Sequence, residues 1–239
     1  MLLALWSPKG GSGTSVVAAA SALVLARHGG PARAGARIAD LAGDQPAIFG
    51  LGADPSPGLN EWLSTGPEAP TEALERLTVR AADDVALVPR GAAGRSLAPV
   101  AAAEAGAALA VALRDGPVPT VLDVGTPSSP AARALLEVAD LSVAVMRCCY
   151  LALRRAVHSP ALARTAGVVL VEESQRSLGS TEVTQVLDKP VLAQVPVKPG
   201  IARAVDAGVL PTRVPGDLAR PVAEMLGRVG LLSKRREAA

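Results

Sequence analysis

The chain has 239 residues, 49% apolar and 19% charged, and its 24 Lys+Arg against 22 Asp+Glu leave a formal charge of +2. A disordered chain would be poorer in apolar residues and more strongly charged, so disorder of the whole is excluded, and the length is ample for a sizeable core. Aromatics are only 2%, so the core must be built from Ala, Val and Leu, and nucleic-acid binding on an aromatic platform is disfavoured.

In chain order, short apolar runs read as buried strands at residues 2–7, 36–41, 85–88, 120–124, 141–146, 168–171 and 191–195. Between them lie helical stretches at 13–28, 58–64, 71–77, 96–114, 130–138, 151–159, 181–187 and 200–207, with a last helix over about 217–228. Continuous apolar strands separated by helices predict an α/β fold with a mostly parallel, doubly wound sheet covered on both faces. No linker or repeat interrupts the pattern, so one domain is expected over 1–232, with a frayed basic tail at 233–239. The apolar start is too short for a signal peptide, and neither long apolar stretch reaches the ~20 residues of a membrane span. Adjacent Cys148 and Cys149 form no disulfide framework and fit a reduced setting, so the expected location is cytoplasmic.

The first strand runs into Ser7-Pro8-Lys9-Gly10-Gly11-Ser12-Gly13-Thr14-Ser15 and at once into a helix. Glycines let successive backbone N–H groups point inward, and the helix N-terminus adds partial positive charge, which together cradle phosphate. Ser15 is placed where a hydroxyl ligates magnesium. A carboxylate at the C-terminal end of a parallel strand opposite such a loop is where that ion is held, and Asp123 occupies this place.

These residues resemble the deviant Walker A motif, K-G-G-x-G-K-[ST], of the ParA/MinD superfamily of dimerising P-loop ATPases. Lys9, Gly10, Gly11, Gly13 and Ser15 match it, while Thr14 stands in the place of the usual loop lysine. Arg37-Ile38-Ala39-Asp40-Leu41-Ala42-Gly43-Asp44 is similar to the family's second strand and D-x-D segment. There Asp40 matches the first aspartate, Ala42 replaces the second, and Asp44 lies two residues beyond. Residues 57–63 are similar to the family's G-L-x-x-x-L helix, 85–91 to its L-P-x-G strand, and 120–127 to its Walker B-like strand. Ala193-Gln194-Val195-Pro196 resembles the last strand and the loop that touches adenine, although Val171-Glu172-Glu173 stands where the family carries an asparagine.

The resemblance implies a P-loop fold that binds ATP with Mg2+ on Lys9, Gly10, Gly11, Ser12, Gly13, Thr14, Ser15 and Pro196. It implies Lys9, Asp40, Asp44 and Asp123 as catalytic residues, Ser15 and Asp123 as metal ligands, and a nucleotide-dependent homodimer in which Lys9 reaches the partner's nucleotide. The altered loop is nearest the CpaE/TadZ-like branch, which positions pilus or secretion machinery, and the losses at Thr14 and Ala42 imply weak or absent hydrolysis. A non-hydrolysing scaffold and a DNA-partitioning ATPase remain open as alternatives. Arg147, Arg154, Arg155 and Arg164 could grip DNA without sequence preference, but a charge of only +2 favours a solvated helix face. The amphipathic stretch with Val222, Met225, Leu226 and Val229 resembles a membrane-binding helix, but Gly227 and Gly230 favour a helix packed on the sheet.

Overall fold

The five apolar residues of strand β1 (Leu2–Trp6) are all buried, in a computed structural model that describes residues 1–28, 35–173 and 178–232. Side chains alternate across a strand, so Leu3 and Leu5 enter one core while Leu2, Ala4 and Trp6 enter another. A strand with no polar side chain on either face is stable only inside a sheet covered twice.

The chain continues through α1 (Thr14–His28), β2 (Ala36–Asp40), α2 (Gln45–Ile48), α3 (Leu59–Thr65), α4 (Glu72–Leu77), β3 (Val79–Ala82) and β4 (Val85–Val88). It then forms α5 (Pro99–Arg114), β5 (Thr120–Gly125), α6 (Pro130–Val138), β6 (Leu141–Arg147), α7 (Tyr150–Val157) and a 3-10 turn at Pro160–Arg164. The last elements are β7 (Gly167–Glu172), α8 (Ser180–Leu187), β8 (Val191–Pro196), α9 (Pro199–Asp206) and α10 (Gly216–Arg228).

The sheet has eight strands in the order β3-β4-β2-β5-β1-β6-β7-β8. All neighbours run parallel except β3, which is antiparallel to β4. Helices α1, α9 and α10 cover the face of Leu3 and Leu5, and α3, α5, α6, α7 and α8 cover the other. Trp6 closes its side with an indole N–H donated to Thr165 Oγ1 at 3.1 Å. All parallel strands end their C-termini on one edge, and the loops along that edge build the site.

Besides the short 3-10 turn at Pro160–Arg164, two elements are absent from the sequence reading. β3 is four residues long, Val-Arg-Ala-Ala, and is only half-buried, so it carries neither a continuous apolar run nor an alternation. α2 is a single turn opening on Gln45-Pro46, too short to show a helical period. The expected tail at 233–239 lies outside the described residues.

Helix α10 buries Leu218, Val222, Met225 and Leu226 against α1 and β8. The apolar stripe that resembles a membrane-binding helix is therefore part of the core. Among the described residues no helix is long and apolar enough to cross a membrane.

Candidate functional site

The turn between β1 and α1 is tied to itself by its own serines. Ser7 Oγ and Ser12 Oγ both donate to the carbonyl of Lys9, at 2.6 and 2.7 Å, and Ser7 N–H donates to Gly125 O at 2.7 Å. Gly11 and Gly13 hold φ of +74° and +81°, a region side chains other than glycine's rarely enter. A Cβ built on Gly10 or Gly11 would meet nothing within 4 Å, and both residues line an open cleft. Thr14 and Ser15 begin α1 and are buried, which leaves the helix N-terminus directed at that space.

Beside the loop stand two carboxylates in register. Asp40 on β2 pairs with Asp123 on β5, and both are fully buried. Asp40 accepts from the backbone N–H of Gly43 at 2.7 Å and of Gln45 at 3.0 Å. Its carboxyl is nonetheless pushed up to about 7, first by burial and then by the charge of Asp123, against the lowering effect of those two bonds. Burial also raises Asp123, opposed by hydrogen bonds from Gln45, Ser15 and Gly125.

Gln45 joins the two halves of this network. Its Nε2 donates to Asp123 Oδ2 at 2.8 Å and to the Ser15 carbonyl at 3.0 Å, while its buried Oε1 has no partner among the described residues. Ser15 Oγ donates to Asp44 Oδ2 at 3.1 Å.

Loop, strand ends and α9 enclose a cleft of about 730 Å3, lined by residues 10–16 with Ala42, Asp44, Arg90 and Asp206. A Mg2+ ion usually takes one or two carboxylates together with phosphate oxygens and water, seldom an all-protein cage. The residues present fit that pattern. Ser15 Oγ and the Asp40, Asp44 and Asp123 carboxylates gather beside the glycine turn, and the Gln45 amide oxygen in the same network has no partner among the described residues.

Of the residues the sequence singles out, Gly10, Gly11, Ser12, Gly13, Thr14, Ser15 and Asp44 line the cleft, and Asp40 and Asp123 lie buried beneath it. Lys9 does not line it; its side chain is half-buried, and its ammonium has no hydrogen-bond or ion-pair partner among the described residues. Pro196 lies elsewhere, pairing with Glu172 at the end of β8 and lining a separate cleft of about 410 Å3 with Cys148, Glu173 and Lys198. Sequence reasoning missed Gln45 and did not place Arg90. The second sits in the recognised L-P-x-G segment, and an arginine in a loop at the C-terminal edge of a sheet is the signal that could have found it.

Neither protein-family models nor curated proteins give a match to this chain. Solved structures do. The ParA family ATPase from Chlorobium tepidum TLS superposes with a TM-score of 0.70 at 18% identity, over 93% of this chain and 97% of that one. The septum site-determining protein MinD from Pyrococcus horikoshii OT3, complexed with Mg-ADP, gives 0.73 at 18%, over 96% and 95%. The ATP complex of Cyanothece McdA gives 0.73 at 16%, over 98% and 97%. The chain thus has the fold of the ParA and MinD P-loop ATPases, from end to end of those chains.

Proposed function

We propose that this protein is a dimerising ATP-binding protein of the ParA/MinD kind that positions or regulates a cellular machine and hydrolyses ATP slowly or not at all. The observation that carries the reading is the glycine loop at the head of α1, which lines an open cleft and is set against a buried carboxylate pair. In this reading ATP lies on Gly10 to Ser15, and Mg2+, when bound, would be held by Ser15 and Asp123 and neutralise charge on the phosphates. MinD from P. horikoshii with its Mg-ADP and McdA with its ATP support the assignment of ligand.

Slow turnover follows from two replacements. Electrostatic stabilisation of phosphoryl transfer needs cations beside the transferred group and an oriented water. Thr14 removes a loop lysine from that place, and Ala42 removes a carboxylate. Both changes weaken the chemical step more than binding, as in the CpaE/TadZ-like branch of pilus and secretion positioning proteins. The dimer reading is supported by Lys9, whose ammonium stands outside its own cleft and has no partner among the described residues. One domain over 1–232, a cytoplasmic location and docking on a protein partner complete the proposal. A scaffold with a vestigial nucleotide site is the second reading, favoured by the same two replacements.

Calorimetric titration with ATP and Mg2+ tests the assignment. Wild type binds, and Gly11→Val abolishes binding while the fold persists, because the new side chain fills the space the phosphates need. Equal binding by both, or by neither, contradicts it.

A further inference from the structure

Among the described residues Arg90 is the one basic side chain lining the cleft, whose wall also carries the carboxylates of Asp44 and Asp206. A polyphosphate placed there brings several negative charges next to two more, and with Thr14 in the loop and Lys9 outside the cleft, Arg90 is the cation that can offset them.

Its position is held from behind. Asn60 N–H donates to the Arg90 carbonyl at 2.9 Å and Leu59 N–H to the Pro89 carbonyl at 2.8 Å, so the first turn of α3 is bonded to this segment. The approach is so close that a Cβ on Gly58 would lie 2.3 Å from Pro89 O. Glu61 ties both sides together, accepting from Gly58 N–H at 2.8 Å and Ala92 N–H at 3.0 Å. From this anchored backbone the Arg90 side chain crosses Gly43, where a Cβ would sit 3.0 Å from Cδ and 3.1 Å from Nη1.

Nη1 donates to the Ala42 carbonyl at 3.1 Å. That is the only bond its guanidinium makes among the described residues, and the side chain is exposed, so most of its donors face the cleft or solvent.

Resting on the nucleotide reading above, we propose that Arg90 holds the terminal phosphate of a bound nucleoside triphosphate, in place of the lysine absent at Thr14, and so separates triphosphate from diphosphate. A guanidinium suits this because it keeps its charge at any relevant pH and offers paired N–H groups to phosphate oxygens.

The test is the affinity of the full chain for fluorescent ATP and ADP analogues with Mg2+, for wild type, Arg90→Gln, Arg90→Lys, and Arg90→Gln combined with Thr14→Lys. Glutamine removes the charge and keeps a polar side chain at this exposed position, and Arg90→Lys keeps the charge without the guanidinium's paired donors. Arg90→Gln is expected to weaken ATP binding ~10-fold or more and ADP binding less than ~3-fold, the range for loss of a hydrogen bond to a charged group. Arg90→Lys falls between, and the added Thr14→Lys restores ATP affinity. Equal losses for ATP and ADP, no loss for either, or no recovery with the lysine overturn the assignment of Arg90 while leaving the nucleotide site standing. A wild type that binds neither nucleotide overturns the site and Arg90 together.

Discussion

Asp40 and Asp123 occupy matching positions on neighbouring parallel strands, fully buried, with one glutamine amide, the Ser15 side chain and a few backbone N–H groups to satisfy them. Without a cation, both cannot carry charge cheaply. Asp40 accordingly titrates at about 7 in the folded protein, against ~3.9 in an unfolded chain.

The sign of the consequence is fixed by proton binding. Between those two values the folded state holds a proton the unfolded state has released, so stability falls as pH rises through the window. In nucleotide-free protein, denaturant unfolding between pH 5 and 8 should show stability declining by up to ~1.4 kcal/mol per pH unit below pH 7. Asp40→Asn should flatten the decline. A wild-type profile that is level over this range would contradict the raised carboxyl.

Gln45 should matter to stability out of proportion to its size. Gln45→Leu leaves Asp123 Oδ2 and the Ser15 carbonyl without their shared donor, in a place water does not reach. The expected loss is ~1–3 kcal/mol, the range for a buried group left unsatisfied. Urea unfolding at constant pH measures it, and a change under ~0.5 kcal/mol would show that the network is not held through this residue.

The strands and long helices were legible because each is a local pattern: β1 is apolar on both faces, and α1 follows a glycine turn directly. The glycine turn that heads the candidate site is equally local, nine residues from Ser7 to Ser15. Gln45 and Arg90 were not legible in the same way. Gln45 meets Asp123 across 78 positions, and Arg90 meets Ala42 across 48; such pairings exist only once the sheet sets β2, β4 and β5 side by side. Asp40 and Asp123 could be picked from the sequence as carboxylates, but their shared register is a property of the sheet.

Turnover should be slow and repairable. Thr14 lines the cleft at the head of α1, so a lysine there has open space ahead of it. Ala42 lines it too, so an aspartate there borders the same cleft. Basal ATP hydrolysis near the detection limit is expected, and Thr14→Lys with Ala42→Asp should raise it ~10-fold or more, a factor reached with ~1.4 kcal/mol of transition-state stabilisation. Phosphate release measured over hours decides this. Brisk wild-type hydrolysis would mean that Asp44 and Arg90 already do this work.

Assembly that depends on nucleotide is the centre of the account, and Lys9 is its most exposed point. Its ammonium has no partner among the described residues and lies outside its own cleft; on the reading proposed above, a contact with a second copy's triphosphate would form only when nucleotide is present, and binding and assembly would then reinforce each other. Sedimentation velocity with ATP and Mg2+, with ADP, and without nucleotide measures this directly. A shift from monomer toward dimer is expected with ATP and Mg2+ alone, lost in Lys9→Ala while weak nucleotide binding persists. A mass that stays the same in all three conditions, for wild type as for Lys9→Ala, would contradict it.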